Sequence, residues 1–444
     1  MSGRGGDGSG QHDDRRGRRA MRRLIAGLAA AASVLAAPLQ AADDPADASV
    51  QDVPAAAETE ASAAAGTADS EPLSLAKALD VPGITPQLEF PGFVQGKVSG
   101  DGDESVRFTG RADLFVDFSS QGLGLWEGTV LRTHTELRYN DTNALGVGGA
   151  LWPQNVAAAL PLTGQGIELT SLHIAQRLGP KTNLLIGKIN ALDLLEGDPF
   201  FGGRGIKRFQ NFTFVALPSG VVPPVLMGGI LLPQAGDIGI TVMVYDPEDR
   251  TGDYWIDGLF ETGVNASVSL GWNGDWGGRA TSLTFTAAGS TKTGADFEDI
   301  LAPPGLEGGT KKGSFNIAVQ FGHDLMGSIK APTHLGVYFK SAIADGNPNL
   351  IQASFIGGLA GHGLFEGRSR DRFGLGVYYY NFSDVLQDAT DPLGEFNDEA
   401  GLEAYYALAI GGNVDFTLNA QAIDPARGDF GVATILGARL GLHF

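Results

Sequence analysis

From about Phe93 to Phe444, apolar and polar residues take turns in short runs separated by Gly, Pro, Asn and Asp. The closing stretch ILGARLGLHF shows this most plainly. Leu436, Ala438, Leu440, Leu442 and Phe444 are apolar, and Gly437, Arg439, Gly441 and His443 between them are small or polar. A period of two belongs to a strand with one greasy face and one wet face. ADLFVDF (Ala112–Phe118), LRTHTELRY (Leu131–Tyr139), VNASVSL (Val264–Leu270), FNIAVQF (Phe315–Phe321), LGVYF (Leu335–Phe339), LEAYYALAI (Leu402–Ile410) and VDFTLNAQA (Val414–Ala422) repeat it. We count about 16 such segments, each near the length that a tilted strand needs to cross a bilayer. No run of 18 or more apolar residues follows the N-terminal region, so helical spans are excluded although hydrophobic residues make up 43% of the chain. Alternation that reaches a terminal aromatic predicts an all-β fold: a transmembrane antiparallel β-barrel of the bacterial outer membrane, closed by its last strand.

The face opposite the apolar one carries the charge. In Leu131–Tyr139 the odd positions are Leu, Thr, Thr, Leu and Tyr, and the even positions are Arg132, His134, Glu136 and Arg138. Four ionisable side chains on one face need water or each other, and a barrel lumen supplies both. A solvated face of a soluble sandwich is the alternative, and a propeller lacks its internal repeat of 40–50 residues here.

The front of the chain reads as an address. Six arginines between Arg15 and Arg23 precede the apolar stretch Leu24–Ala37, and small residues follow at Ala41 and Ala42. That order predicts a signal peptide over 1–41. Residues 42–87 begin rich in Ala, Asp, Glu, Ser and Thr, with eight acids and no base between Asp43 and Glu71. Such a segment cannot bury enough surface to order itself, so a disordered acidic linker is expected, with a short helix in SLAKALDV (Ser74–Val81). The outer-membrane barrel domain is then expected over 88–444. A formal net charge of −20 argues against nucleic acid as a partner. There is no cysteine, hence no disulfide or thiolate metal site.

Three C-terminal stretches, Ile343–Asp384, Asn397–Tyr406 and Gln421–Phe444, closely resemble the carbohydrate-selective porin family (OprB type). Their most specific pieces are Asp-Arg-Phe-Gly before a Tyr-rich strand and Asp-Pro-Ala-Arg-Gly before the last strand. Leu185–Gly220 and Val244–Trp255 look similar to the same family. The resemblance covers roughly residues 88–444 and implies a barrel of about 16 strands that passes sugars by diffusion. One departure stands out. The family's Gly-Asp-Trp-Gly-Gly motif near the mature N-terminus occurs here at Gly274–Gly278, where it reads as a hairpin turn.

No catalytic pattern emerges. The seven histidines are scattered, and no Gly-x-Ser-x-Gly elbow or phosphate-cradling loop appears. No cofactor or metal is implied, although the acidic loops Asp246–Asp257 and Asp101–Glu104 leave calcium as a minor alternative to solvated turns. A sugar channel needs weak, repeated hydrogen bonding, for which the arginine fork is suited. The candidate solute-binding residues are therefore Arg111, Asp113, Arg132, His134, Glu136 and Arg138 on the first polar faces, with Arg368, Arg370 and Arg372 in EGRSRDRFG. Arg204, Lys207 and Arg208 form a further cluster in FFGGRGIKRFQN. The partners expected are small sugars and outer-membrane lipid, and a homo-oligomer fits the same reading. Porins for small anions or organic acids, and a closed barrel enzyme or adhesin, are the alternatives.

Overall fold

The computed structural model describes residues 72–102, 104–139, 150–160, 166–215, 222–301, 308–394 and 396–444. The expected signal peptide and most of the expected linker lie outside these residues. Sixteen antiparallel strands close into one barrel, each hydrogen-bonded to its neighbours in sequence. The first half comprises β1 (Ile84–Ser99), β2 (Arg107–Ser119), β3 (Thr129–Tyr139), β4 (Gly166–Gly179), β5 (Thr182–Asn190), β6 (Val225–Ala235), β7 (Ile238–Tyr245) and β8 (Asn265–Asp275). The second half comprises β9 (Ala280–Ala295), β10 (Thr310–Gly327), β11 (His334–Ala344), β12 (Ile351–His362), β13 (Arg372–Phe382), β14 (Glu399–Ile410), β15 (Val414–Asp424) and β16 (Ala433–His443). Every alternating segment named above lies wholly or almost wholly within a strand. A short helix, α1 (Leu75–Leu79), capped by Ser74, precedes β1 as SLAKALDV suggested.

The seam is where alternation said it would be. β16 pairs with β1 from Glu89↔His443 to Ser99↔Thr434. Phe444 extends the ladder by one residue, donating its amide to the Leu88 carbonyl (2.8 Å) and accepting the Leu88 amide (3.0 Å). Its ring meets Phe90 edge-on at 6.4 Å. The two faces separate by parity as well. Leu137 and Leu418 are 42% and 54% exposed on the outside, whereas Glu136 and Asn419, one residue away, are 1% and 4% exposed. No described helix is long and apolar enough to cross a membrane.

The shortest connections fall at one rim. β4 to β5 and β6 to β7 turn within two residues, and β8 to β9 within four. The Gly274–Gly278 motif supplies that last turn. Gly277 and Gly278 have φ of 65° and 78°, and the Gly278 amide donates to the Asp275 side chain (2.7 Å). At the other rim the chain makes long excursions between β3 and β4, β5 and β6, and β7 and β8. In barrels of this kind short turns are periplasmic and long loops external.

Candidate functional site

Two of the long excursions fold back into the barrel. The first contains a short helix, α2 (Val156–Ala159). The second, residues 191–215 after β5, touches strands on opposite walls: Glu89 on β1 and Arg439 on β16, Gln320 on β10 and Glu403 on β14. A segment that reaches all of these inside a closed sheet crosses the interior. Its sharpest bend is Gly203-Arg204-Gly205, three consecutive residues at φ 81°, 51° and 75°. A side chain at Gly205 would stand 2.3 Å from Val156, so glycine allows the two excursions to touch. Arg204 is not glycine, and its left-handed backbone is held by what its side chain does.

On one side the segment is tied by charge. Arg204 is fully enclosed, paired with Glu89 and with Glu196 (2.7 Å), and its guanidinium lies 4.4 Å from the Phe115 ring centre. Lys207 joins the same two carboxylates at 2.8 and 2.7 Å. Burial works to raise the Glu196 carboxyl, but Arg204 and Lys207 outweigh it and hold the group well below the usual carboxylate range. Burial likewise works to lower Lys207, and Glu196 and Glu89 raise it above its ordinary value. Next to this group, His134 bridges Asp113 on β2 and Asp193 of the segment, with 3.0 Å to each. Arg111 donates to Asp113 (2.9 Å) and to the Ala157 and Leu160 carbonyls (3.5 and 3.4 Å), binding the first excursion to the wall. Glu136 accepts from Arg138 and from Asn190, both at 2.8 Å. Arg439 donates to the Gly205 and Arg208 carbonyls at 3.0 and 3.1 Å.

On the other side the ties are aromatic and amide in character. Phe200, Phe201, Phe209 and Phe214 of the segment pack with Tyr338, Tyr378, Tyr380, Phe382 and Tyr405 of β11, β13 and β14 in one buried cluster. Phe200 stacks on Tyr338 at 5.4 Å and Phe209 meets Tyr405 edge-on at 4.9 Å. A side chain at Gly376 would come within 2.5 Å of Phe214, so the wall opens a seat for that ring. Glu403 accepts the Gln210 and Asn211 amides (2.7 and 2.9 Å), and Glu399 accepts the Leu151 amide (2.8 Å).

The expected site residues therefore divide. Arg111, Asp113, His134, Glu136 and Arg138 form one buried network with the inward segment. Arg132 pairs with Asp117 (3.2 Å) nearer the short-turn rim. Arg372 pairs with Asp415 (3.0 Å), while Arg368 binds Asp371 (2.7 Å) and Arg370 reaches the Gly411 carbonyl, all at that rim and away from the first network. Asp113, His134 and Glu136 each present a ligand atom within 4.8 Å of the others. Arg111 and Arg138 already bring these carboxylates the positive charge that a cation would bring. The acidic loop after β7 answers its own cations: Arg250 holds Asp246 (2.8 Å) and Asp253 (2.9 Å), and Lys292 holds Glu248 (2.9 Å). Glu89, Asp193, Glu196, Glu399, Glu403 and Arg439 escaped sequence reasoning as site residues. For Arg439 and Glu403 parity was the available signal, since both stand on polar faces.

Residues 110–444 match the family described as carbohydrate-selective porin, OprB family. The chain belongs to that family. The OprB structure from Pseudomonas putida at high pH is similar, with a TM-score of 0.72 at 16% identity over 83% of this chain and 96% of that one. The low-pH structure of the same OprB gives 0.50 at 15%, covering 83% and 94%. A loop-deletion mutant of Vibrio cholerae OmpT gives 0.47 at 12%, covering 82% and 100%. No curated protein matches. At these identities the likeness to OprB shows the fold, and the family match shows the class. This porin is an outer-membrane β-barrel, and family and fold together point to a channel.

Proposed function

We propose that this porin lets small carbohydrates diffuse into the periplasm past the inward segment 191–215. The observation that carries the reading is the two-sided seating of that segment, with charged groups of β1–β3 and β16 on one side and aromatic rings of β11–β14 on the other. A sugar presents both chemistries, hydroxyls for charged donors and acceptors and C–H faces for rings. Weak bonds of each kind, about 0.5–1.5 kcal/mol net per hydrogen bond, favour entry without capture. In this reading Arg111, Asp113, His134, Glu136 and Arg138 hold the shape of the passage, and Arg132, Arg368, Arg370 and Arg372 offer donors to solute nearer the periplasmic end. The test is single-channel conductance of the full protein in planar bilayers. Glucose should reduce ion current in a saturable way. Current indifferent to glucose yet blocked by simple organic anions would replace the carbohydrate reading with an anion porin.

A further inference from the structure

At the short-turn end, between the inward segment and the wall of β11–β14, lies a half-enclosed cavity of about 50 Å³ lined by Arg208, His334, His362, Arg372, Tyr405 and Ile329, among others. Its lining holds two guanidiniums and no carboxylate. Among the described residues the Arg208 guanidinium donates only to the Glu196 carbonyl (3.3 Å) and has no ion pair. Arg372 gives one bond to Asp415 (3.0 Å), but that carboxylate also accepts from His443 (2.8 Å), and the buried Arg372 Nε has no hydrogen-bond partner among the described residues. The two histidines do not supply the missing acceptors. His334 is held by Asp324 (2.7 Å), and His362 donates Nε2–H to the Ala331 carbonyl (2.7 Å). A divalent cation is repelled there.

We infer that this cavity is a subsite for the oxyanion of a sugar-sized acid, a carboxylate or a phosphate carried on a polyhydroxylated chain. The guanidinium fork matches a planar oxyanion with two parallel donors. A cavity of this size suits a head group rather than a sugar ring, being about the space of one or two waters. The Tyr405 ring, held edge-on by Phe209, lies alongside it for the carbon skeleton. The inference rests on the sugar-porin reading and extends it to acidic sugars near the exit.

The test compares gluconate, glucose 6-phosphate and glucose as blockers of single channels formed by the full chain, each added from the short-turn side. Gluconate should half-block at a concentration about tenfold below that of glucose, as one charge-assisted hydrogen bond would give. Arg208→Gln should remove most of that preference and leave glucose block unchanged, and Arg372→Gln should weaken gluconate block by more than it weakens glucose block. Arg372→Lys should keep part of the preference, and heat-modifiable migration of every variant shows that the barrel has formed. Stronger block by glucose 6-phosphate than by gluconate assigns the site to phosphate, and the reverse assigns it to carboxylate. Two acids no better than glucose, or a preference that survives both Gln substitutions, overturns the subsite. Loss of glucose block in the unsubstituted channel, with gluconate block intact, overturns the neutral-sugar reading alone.

Discussion

Arg204 concentrates the energetics of the site in one side chain. It is buried with two carboxylates and sits at a backbone angle that favours glycine. Removing one member of a buried ion cluster leaves the others uncompensated, at about 3–5 kcal/mol. Arg204→Met should therefore free the inward segment while leaving the barrel closed, and single channels should become noisier and more conductive. A quiet channel of unchanged conductance would show that the aromatic side alone positions the segment. Glu196 gives the same anchor a pH signature. Its carboxyl is depressed on folding, so its contribution is complete above the unfolded value of about 4.3 and fades as pH falls below it. The part of the conductance that depends on this carboxyl should change only in solution more acid than about 4.3, and Glu196→Gln should abolish that change. Glu196→Gln should bring the disturbed state to neutral pH. Arg132, exposed enough to meet solute, calls for a different outcome: Arg132→Ala should weaken glucose block and raise conductance, because Asp117 is left without its partner and a long side chain is lost.

The inward segment is the element on which sequence and structure diverge most. Strand faces were legible because parity is a local rule. In β3, Arg132, His134, Glu136 and Arg138 share one side wherever that strand lies. The cluster Arg204, Lys207 and Arg208 was visible too, but not its partner Glu89, which lies on β1, nor the aromatic seats at Gly374 and Gly376. These contacts are set by the return of a loop through the barrel, and no period in the sequence encodes a return. The separation of Arg368 and Arg370 from the Arg111 network has the same origin, since parity fixes the side of the wall and not the height. Seating is testable through glycine. Gly376→Val should displace Phe214 and shift conductance and sugar block without loss of the heat-modifiable barrel. An unchanged channel would mean that the ring has room to spare.

At the scale of the whole molecule the lipid-facing band makes the firmest prediction. The chain has no cysteine, so single cysteines report cleanly. In intact outer membranes, cysteines at Leu131, Leu137, Leu418 and Leu440 should resist a membrane-impermeant thiol reagent, and cysteines at Arg132 and Arg372 should react. Equal labelling of both sets would contradict the assignment of faces. The ladder between Leu88 and Phe444 has a consequence for the life of the chain before it is a barrel. Until those two distant stretches meet, the sheet has two open edges, each a row of unpaired amides and carbonyls that will accept any strand offered. None of the intervening hairpins can hide them. An unsealed chain in water is thus a template for its own aggregation, and only the joining of β1 to β16 removes those edges.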